Sequence, residues 1–80
     1  MNATRIRVGR REIEVREMAF GIFNAFDGDG TRLAIVFRLS QGWWLGVRIG
    51  GARREMHIPD EPDEPIRRGA EEVTRRLLST

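Results

Sequence analysis

Through its first 58 residues this chain alternates apolar and polar side chains with a period of two, and glycine-bearing turn signals interrupt the alternation at short intervals. That pattern is the mark of half-buried strands, because successive side chains of a strand point to opposite faces. It also constrains register. A slip of one residue in any hairpin would move every side chain to the wrong face, so each turn can be tested by what it brings together.

Gly9-Arg10 reads as a two-residue turn. It sets Val8 opposite Arg11, Ile6 opposite Ile13 and Thr4 opposite Val15, with Arg7–Glu12 and Arg5–Glu14 as cross-strand charge pairs on the other face. Asp27-Gly28-Asp29-Gly30 reads as the next turn, with Ile22 facing Ile35, Phe20 facing Phe37 and Phe23 beside Ala34. Ser40-Gln41-Gly42 makes a three-residue loop with Gly42 left-handed, so Phe37 faces Leu45, Ile35 faces Val47, and Arg38 lies beside Trp44. Gly50-Gly51 as a two-residue turn sets Leu45 opposite Met56 and Arg48 beside Arg53. The apolar positions are odd at Ile13 and Val15 but even at Met18, Phe20 and Ile22, which predicts a bulge near Arg16-Glu17.

After Pro59 the pattern changes. Residues 59–65 form an acidic, proline-bearing connector, and Ile66, Ala70, Val73 and Leu77 follow at helical spacing. Gly69 weakens that helix but permits close approach to the sheet. Acids at its start and Arg75-Arg76 at its end suit the helix dipole. The expected fold is α+β in one domain over residues 1–80: a five-stranded antiparallel β-meander with one C-terminal α-helix packed on one face. Strands are expected at 4–8, 11–26, 31–39, 43–49 and 52–58, and the helix at 64–78. The helix is expected to bury the Met18/Phe20/Phe37/Leu39/Trp43/Leu45 face.

Composition narrows the chemistry. The chain has fourteen arginines, no lysine, no cysteine and no tyrosine. Thiolate, Schiff-base and disulfide chemistry are therefore excluded. No run approaches membrane-spanning length and no signal peptide is evident, so the expected location is cytoplasmic. Residues 1–58 carry ten Arg against six acids, and residues 59–80 carry four Arg against six, so a basic sheet precedes an acidic tail. Asp27–Thr31 resembles the start of a calcium loop, but position twelve is Arg38 where a closing Glu is needed, and a tight hairpin accounts for the same residues. The lone His57 has no companion ligands and no orienting partner for general base work. The helix arginines Arg67, Arg68, Arg75 and Arg76 have acids at helical spacing and read as a self-neutralised face. The expectation is a non-enzymatic protein with no cofactor and no metal.

What remains is a surface. The register above places Phe23, Arg38, Trp44, Arg48, Arg53 and Arg32 on an outer face away from the helix. Trp and Arg are the residue types enriched at binding hot spots. That face predicts partner binding, with Trp44→Ala and Arg48→Glu abolishing it while leaving the fold intact. In size, absence of catalytic residues and charged surface on a minimal core, the chain resembles the small single-domain proteins of phages and mobile elements, including anti-CRISPR inhibitors. The resemblance implies a binding module that occludes a site on a larger protein or nucleoprotein complex; the net positive charge departs from the acidic, DNA-mimicking members and points to direct protein occlusion. The competing expectation is a nucleic-acid-binding sheet in which the same arginines and Trp44 form a stacking platform. A third is a monomer or a homodimer joined through a sheet edge.

Overall fold

The first hairpin forms in the register that its side chains demand. In a computed structural model describing residues 2–79, β1 (Ala3–Val8) pairs with β2 (Arg11–Ala19), setting Ile6 opposite Ile13 and Thr4 opposite Val15. The chain continues through β3 (Ile22–Phe26), β4 (Arg32–Ser40), β5 (Trp43–Arg48) and β6 (Arg53–His57) to α1 (Pro65–Leu78). All six strands form one antiparallel sheet in the order β1-β2-β3-β4-β5-β6, with α1 against one face. The α+β class and the single C-terminal helix match expectation; the sheet has six strands rather than five.

The sixth strand comes from a turn that the periodicity concealed. Residues 11–26 are not one bulged strand. Phe20-Gly21 turns the chain between β2 and β3, with Gly21 left-handed at φ 77, a conformation that glycine adopts without steric cost. Nor does the inward parity flip. Val15, Phe23 and Ala25 all point to the helix side, and the even-numbered Ile22 points away. The expected flip came from assigning Met18, Phe20 and Ile22 to the core. The register does shift nearby, between Glu17 and Ala19.

Two other registers differ. In the β3–β4 hairpin Ile22 lies opposite Phe37 and Phe23 opposite Val36, displaced by two residues from the expected pairing, with an irregularity at Ala25/Phe26. A shift of two keeps every side chain on its own face, so the pattern could not exclude it. In the β5–β6 hairpin the backbone closes from Arg48 N to Ala52 O, and Met56 lies opposite Trp44 rather than Leu45. That one-residue difference carries Met56 to the helix side, where it is buried with Ile58. The β4–β5 pairing is as expected from Ala34 to Arg38, with Arg38 opposite Trp44 and Phe37 opposite Leu45; beyond it the register shifts, so that Ser40, not the expected Leu39, lies opposite Trp43.

The helix covers the face opposite to the expected one. Buried beneath it are Phe23, Ala25, Ala34, Val36, Trp44 and Met56, joined by Ala70, Val73, Leu77 and Leu78 from the helix and by Ile6, Val8, Ile13 and Val15 from the first hairpin. Size decided the choice. Ala25, Ala34 and Gly46 leave a shallow floor into which a helix can settle. A Cβ on Gly46 would stand 3.1 Å from Leu77 and 3.2 Å from Val73. On the helix side Gly69 lies directly over the Trp44 indole, where an added Cβ would come within 2.4 Å of the ring. The close approach expected of Gly69 is thus realised against one named side chain.

Local chemistry starts and ends the helix. Pro65 occupies its first turn, where a missing N–H costs nothing. Glu64 before it is left-handed at φ 49. Its side chain makes no cap and instead takes two hydrogen bonds from Arg67. Arg75 and Arg76 sit in the last turn, where the dipole favours cations. Inside, the Thr74 hydroxyl donates to the Ala70 carbonyl at 2.7 Å, which satisfies a fully buried polar group.

Candidate functional site

The six sequence-selected residues do not form one surface. Trp44 is fully buried and Phe23 is buried beside it, with ring centroids 6.4 Å apart. Both belong to the core beneath α1, so neither can meet a partner, and Trp44→Ala would cost the fold rather than spare it. Arg38 also lies on the helix side, where it donates to Asp60 at 2.8 Å and ties the connector to the sheet. Arg48 is half-buried, its stem within 3.4 Å of where a Cβ on Gly51 would stand. Arg53 faces away from the helix opposite Val47, not beside Arg48, and Arg32 is exposed at the start of β4.

His57 lies opposite Trp43 on the exposed face, with ring centroids 4.9 Å apart. The Asp27–Thr31 segment is a hairpin turn held by its own groups. Gly30 N donates to Asp27 O at 2.9 Å, and Thr31 N donates to the Asp29 carboxylate at 3.0 Å. Hydrogen bonds from the Thr31 backbone and side chain hold the Asp29 carboxyl below its ordinary range, because they favour its charged form. Among the described residues no group of three or more His, Asp or Glu side chains is placed to hold a metal ion.

The helix arginines behave as the spacing suggests. Arg67 bonds Glu64 and Glu71, and Glu72 accepts from both Arg75 and Arg76. Besides Arg67, Glu71 accepts from the Thr4 hydroxyl at 2.8 Å, joining α1 to the edge strand β1. Between these elements lies a crevice of about 200 Å³, with Val15, Phe23 and Ile66 as its apolar walls and Glu17, Glu64 and Arg67 at its rim.

The surface that asks for explanation is the other face of the sheet. On β3, β4 and β5 the side chains pointing away from α1 include Ile22, Phe26, Ile35, Phe37, Leu39, Trp43, Leu45 and Val47, with the polar Asn24 among them on β3 and Phe20 projecting from the β2–β3 turn. Phe20 is 80% exposed, Leu39 52%, Trp43 46% and Ile22 37%. Alternate turns of a meander lie at the same end, so Phe20, Leu39 and Trp43 cluster at the end where the β2–β3 and β4–β5 turns meet. Charged residues flank this band on both sides of the same face. Arg5, Arg7, Glu12 and Glu14 lie towards β1, and Arg53 and Glu55 lie on β6. Arg16 stands over the Phe26 ring at 4.6 Å from its centroid, closing one border of the apolar band.

The sequence pattern contained this surface but labelled it core. Both faces of Leu33-Ala34-Ile35-Val36-Phe37 are apolar, so alternation alone could not say which one the helix takes. The small residues on one of them could have. No known family model, curated protein or solved structure matches this chain. Among the described residues no helix is long and apolar enough to cross a membrane.

Proposed function

We propose that this protein is a non-enzymatic binding module that docks through the apolar outer face of its sheet onto another protein, occluding a site on that larger partner or nucleoprotein complex. One observation carries the reading: a contiguous band of Ile, Leu, Phe and Trp side chains on β3–β5 is left uncovered while α1 occupies the opposite face. Soluble domains rarely leave such a band open unless it meets something. Trp43 and Phe20, large and exposed, are its natural anchors. The occlusion role is what the resemblance to small phage inhibitors implies, and the docking surface is now apolar rather than arginine-rich.

A nucleic-acid role keeps one supporting observation. Arg10, Arg32, Arg53 and Arg54 have no acidic partner among the described residues, and they lie in or next to the three turns at one end of the sheet. The stacking platform has gone with Trp44 into the core. Fluorescence anisotropy against single- and double-stranded DNA and RNA at low salt separates the two readings. The expected result is no micromolar binding. Micromolar binding that weakens steeply with salt, and that Arg53→Ala with Arg54→Ala removes, transfers the function to the arginine end.

A further inference from the structure

We propose that the outer sheet face closes on a second copy of this chain, forming a two-fold dimer in which the sheets stack face to face and the helices lie outside. The proposal rests on the reading of this face as a protein-contact surface and names its first occupant.

The strands themselves carry the first argument. An antiparallel sheet with a helix on one side and water on the other alternates apolar inward and polar outward. β1 and β6 do so. β4 and β5 do not: Ala34, Val36, Trp44 and Gly46 face α1, while Ile35, Phe37, Leu45 and Val47 face away. That is the composition of strands covered on both faces, and α1 covers only one.

Area carries the second. Met18, Phe20, Ile22, Leu39, Trp43 and Ile49 are between 37% and 80% exposed. At about 150–250 Å² for a large side chain, these six offer roughly 450–750 Å² of apolar surface, approaching the ~800 Å² per partner of a stable interface. The four half-buried side chains between them add to it.

Charge carries the third. A two-fold axis parallel to the strands lays β6 of one copy over β1 of the other, in both directions at once. The β6 border offers Arg53 and Glu55; the opposite border offers Arg5 and Arg7 with Glu12 and Glu14. Each border carries both signs, so neither rim presents a run of like charge to the other around the apolar centre. An edge-to-edge dimer would leave this band in water. Because both uses need the same surface, self-association and capture of a larger partner exclude each other.

Sedimentation equilibrium of the full chain, from low micromolar to several hundred micromolar, tests the proposal. The expected mass is that of a dimer. Phe20→Asp or Trp43→Arg weakens the dimer by about tenfold or more, with an unchanged far-ultraviolet circular dichroism spectrum. Tryptophan emission supplies a second readout. Trp44 is already buried, so a concentration-dependent blue shift reports on Trp43, and the conservative Trp43→Phe removes the shift while preserving the fold. A monomeric wild-type chain at every concentration overturns the second copy and leaves the face to a larger protein. A dimer indifferent to both Phe20→Asp and Trp43→Arg overturns the dimer proposal and the contact-surface reading together.

Discussion

At the scale of single residues, one contact decides how the helix sits. Gly69 in mid-helix gives up about 1 kcal/mol of helix propensity relative to Ala. In isolation Gly69→Ala would therefore stabilise α1. In the folded protein the new methyl would meet Trp44 at 2.4 Å and its indole nitrogen at 2.9 Å. The ring is fully buried and cannot swing away. Overpacking of this kind costs about 1–3 kcal/mol, so the net sign reverses. Gly69→Ala is expected to lower the urea midpoint, and Trp44→Leu combined with it to show strong non-additivity, because the two residues share one space. Among the described residues the indole nitrogen itself finds no hydrogen-bond partner, nor do Arg38 Nε and Asp60 Oδ1. Trp44→Phe removes an unpaired buried donor while keeping an aromatic ring. It is expected to cost less than Trp44→Ala, which should lose about 3–5 kcal/mol in the same denaturation experiment.

At the scale of elements, the start of α1 is held by charge rather than by a cap. The hydrogen bonds from Arg67 favour the Glu64 carboxylate and hold it below its ordinary value of 4.5. A depressed folded-state pKa contributes stability above the ordinary value, and that contribution is lost as pH falls through the folded one. Asp29 is shifted in the same direction from an ordinary value of 3.8, so its contribution begins to be lost at lower pH than that of Glu64. The melting temperature is therefore expected to fall as pH drops below about 4.5. Glu64→Gln should flatten part of that fall in a pH series of thermal melts. The connector before the helix is fastened by Arg38 and Asp60, each about one-fifth exposed and 2.8 Å apart. A charge-assisted bond this well shielded is worth about 1.5–3 kcal/mol, and a double-mutant cycle with Arg38→Met and Asp60→Asn should recover a coupling within that range. Legibility of these elements in the sequence followed how much each register cost to change. The β1–β2 and β4–β5 pairings could be read, since Ile6, Ile13, Val15 and Phe37 each had one acceptable partner face. The β3–β4 pairing could not, because a two-residue shift leaves every face intact. Phe20-Gly21 was missed because an apolar Phe in a turn mimics a strand residue. The binding face was visible as a set of residues and inverted in role: Trp44 and Trp43 are adjacent in the chain, and only the small Ala34, Gly46 and Gly69 determine which indole the helix covers.

At the scale of the whole molecule, the chain divides its surfaces by chemistry. The helix side is a self-neutralised lattice of Arg–Glu pairs, the β1–β2, β3–β4 and β5–β6 turns gather arginines, and the outer sheet is apolar. Substituting a charge at Phe20 or Leu39 should leave the fold intact, because both are exposed. It should markedly reduce binding of an environment-sensitive apolar dye, and Arg53→Ala should not change it. The strand order has a further consequence. Every strand bonds only to its neighbours in sequence, so the sheet can assemble by successive short closures, each with a small entropic cost. Only the return of α1 across the sheet, sealed by Thr4 and Glu71 at a separation of 67 residues, requires distant parts of the chain to meet. Substitutions in the turns should therefore slow folding, whereas those at the helix–sheet contact should mainly hasten unfolding. Until the helix arrives, both sides of β4 and β5 stand open, so the hazard of aggregation is concentrated in the interval between zipping the meander and docking its last element.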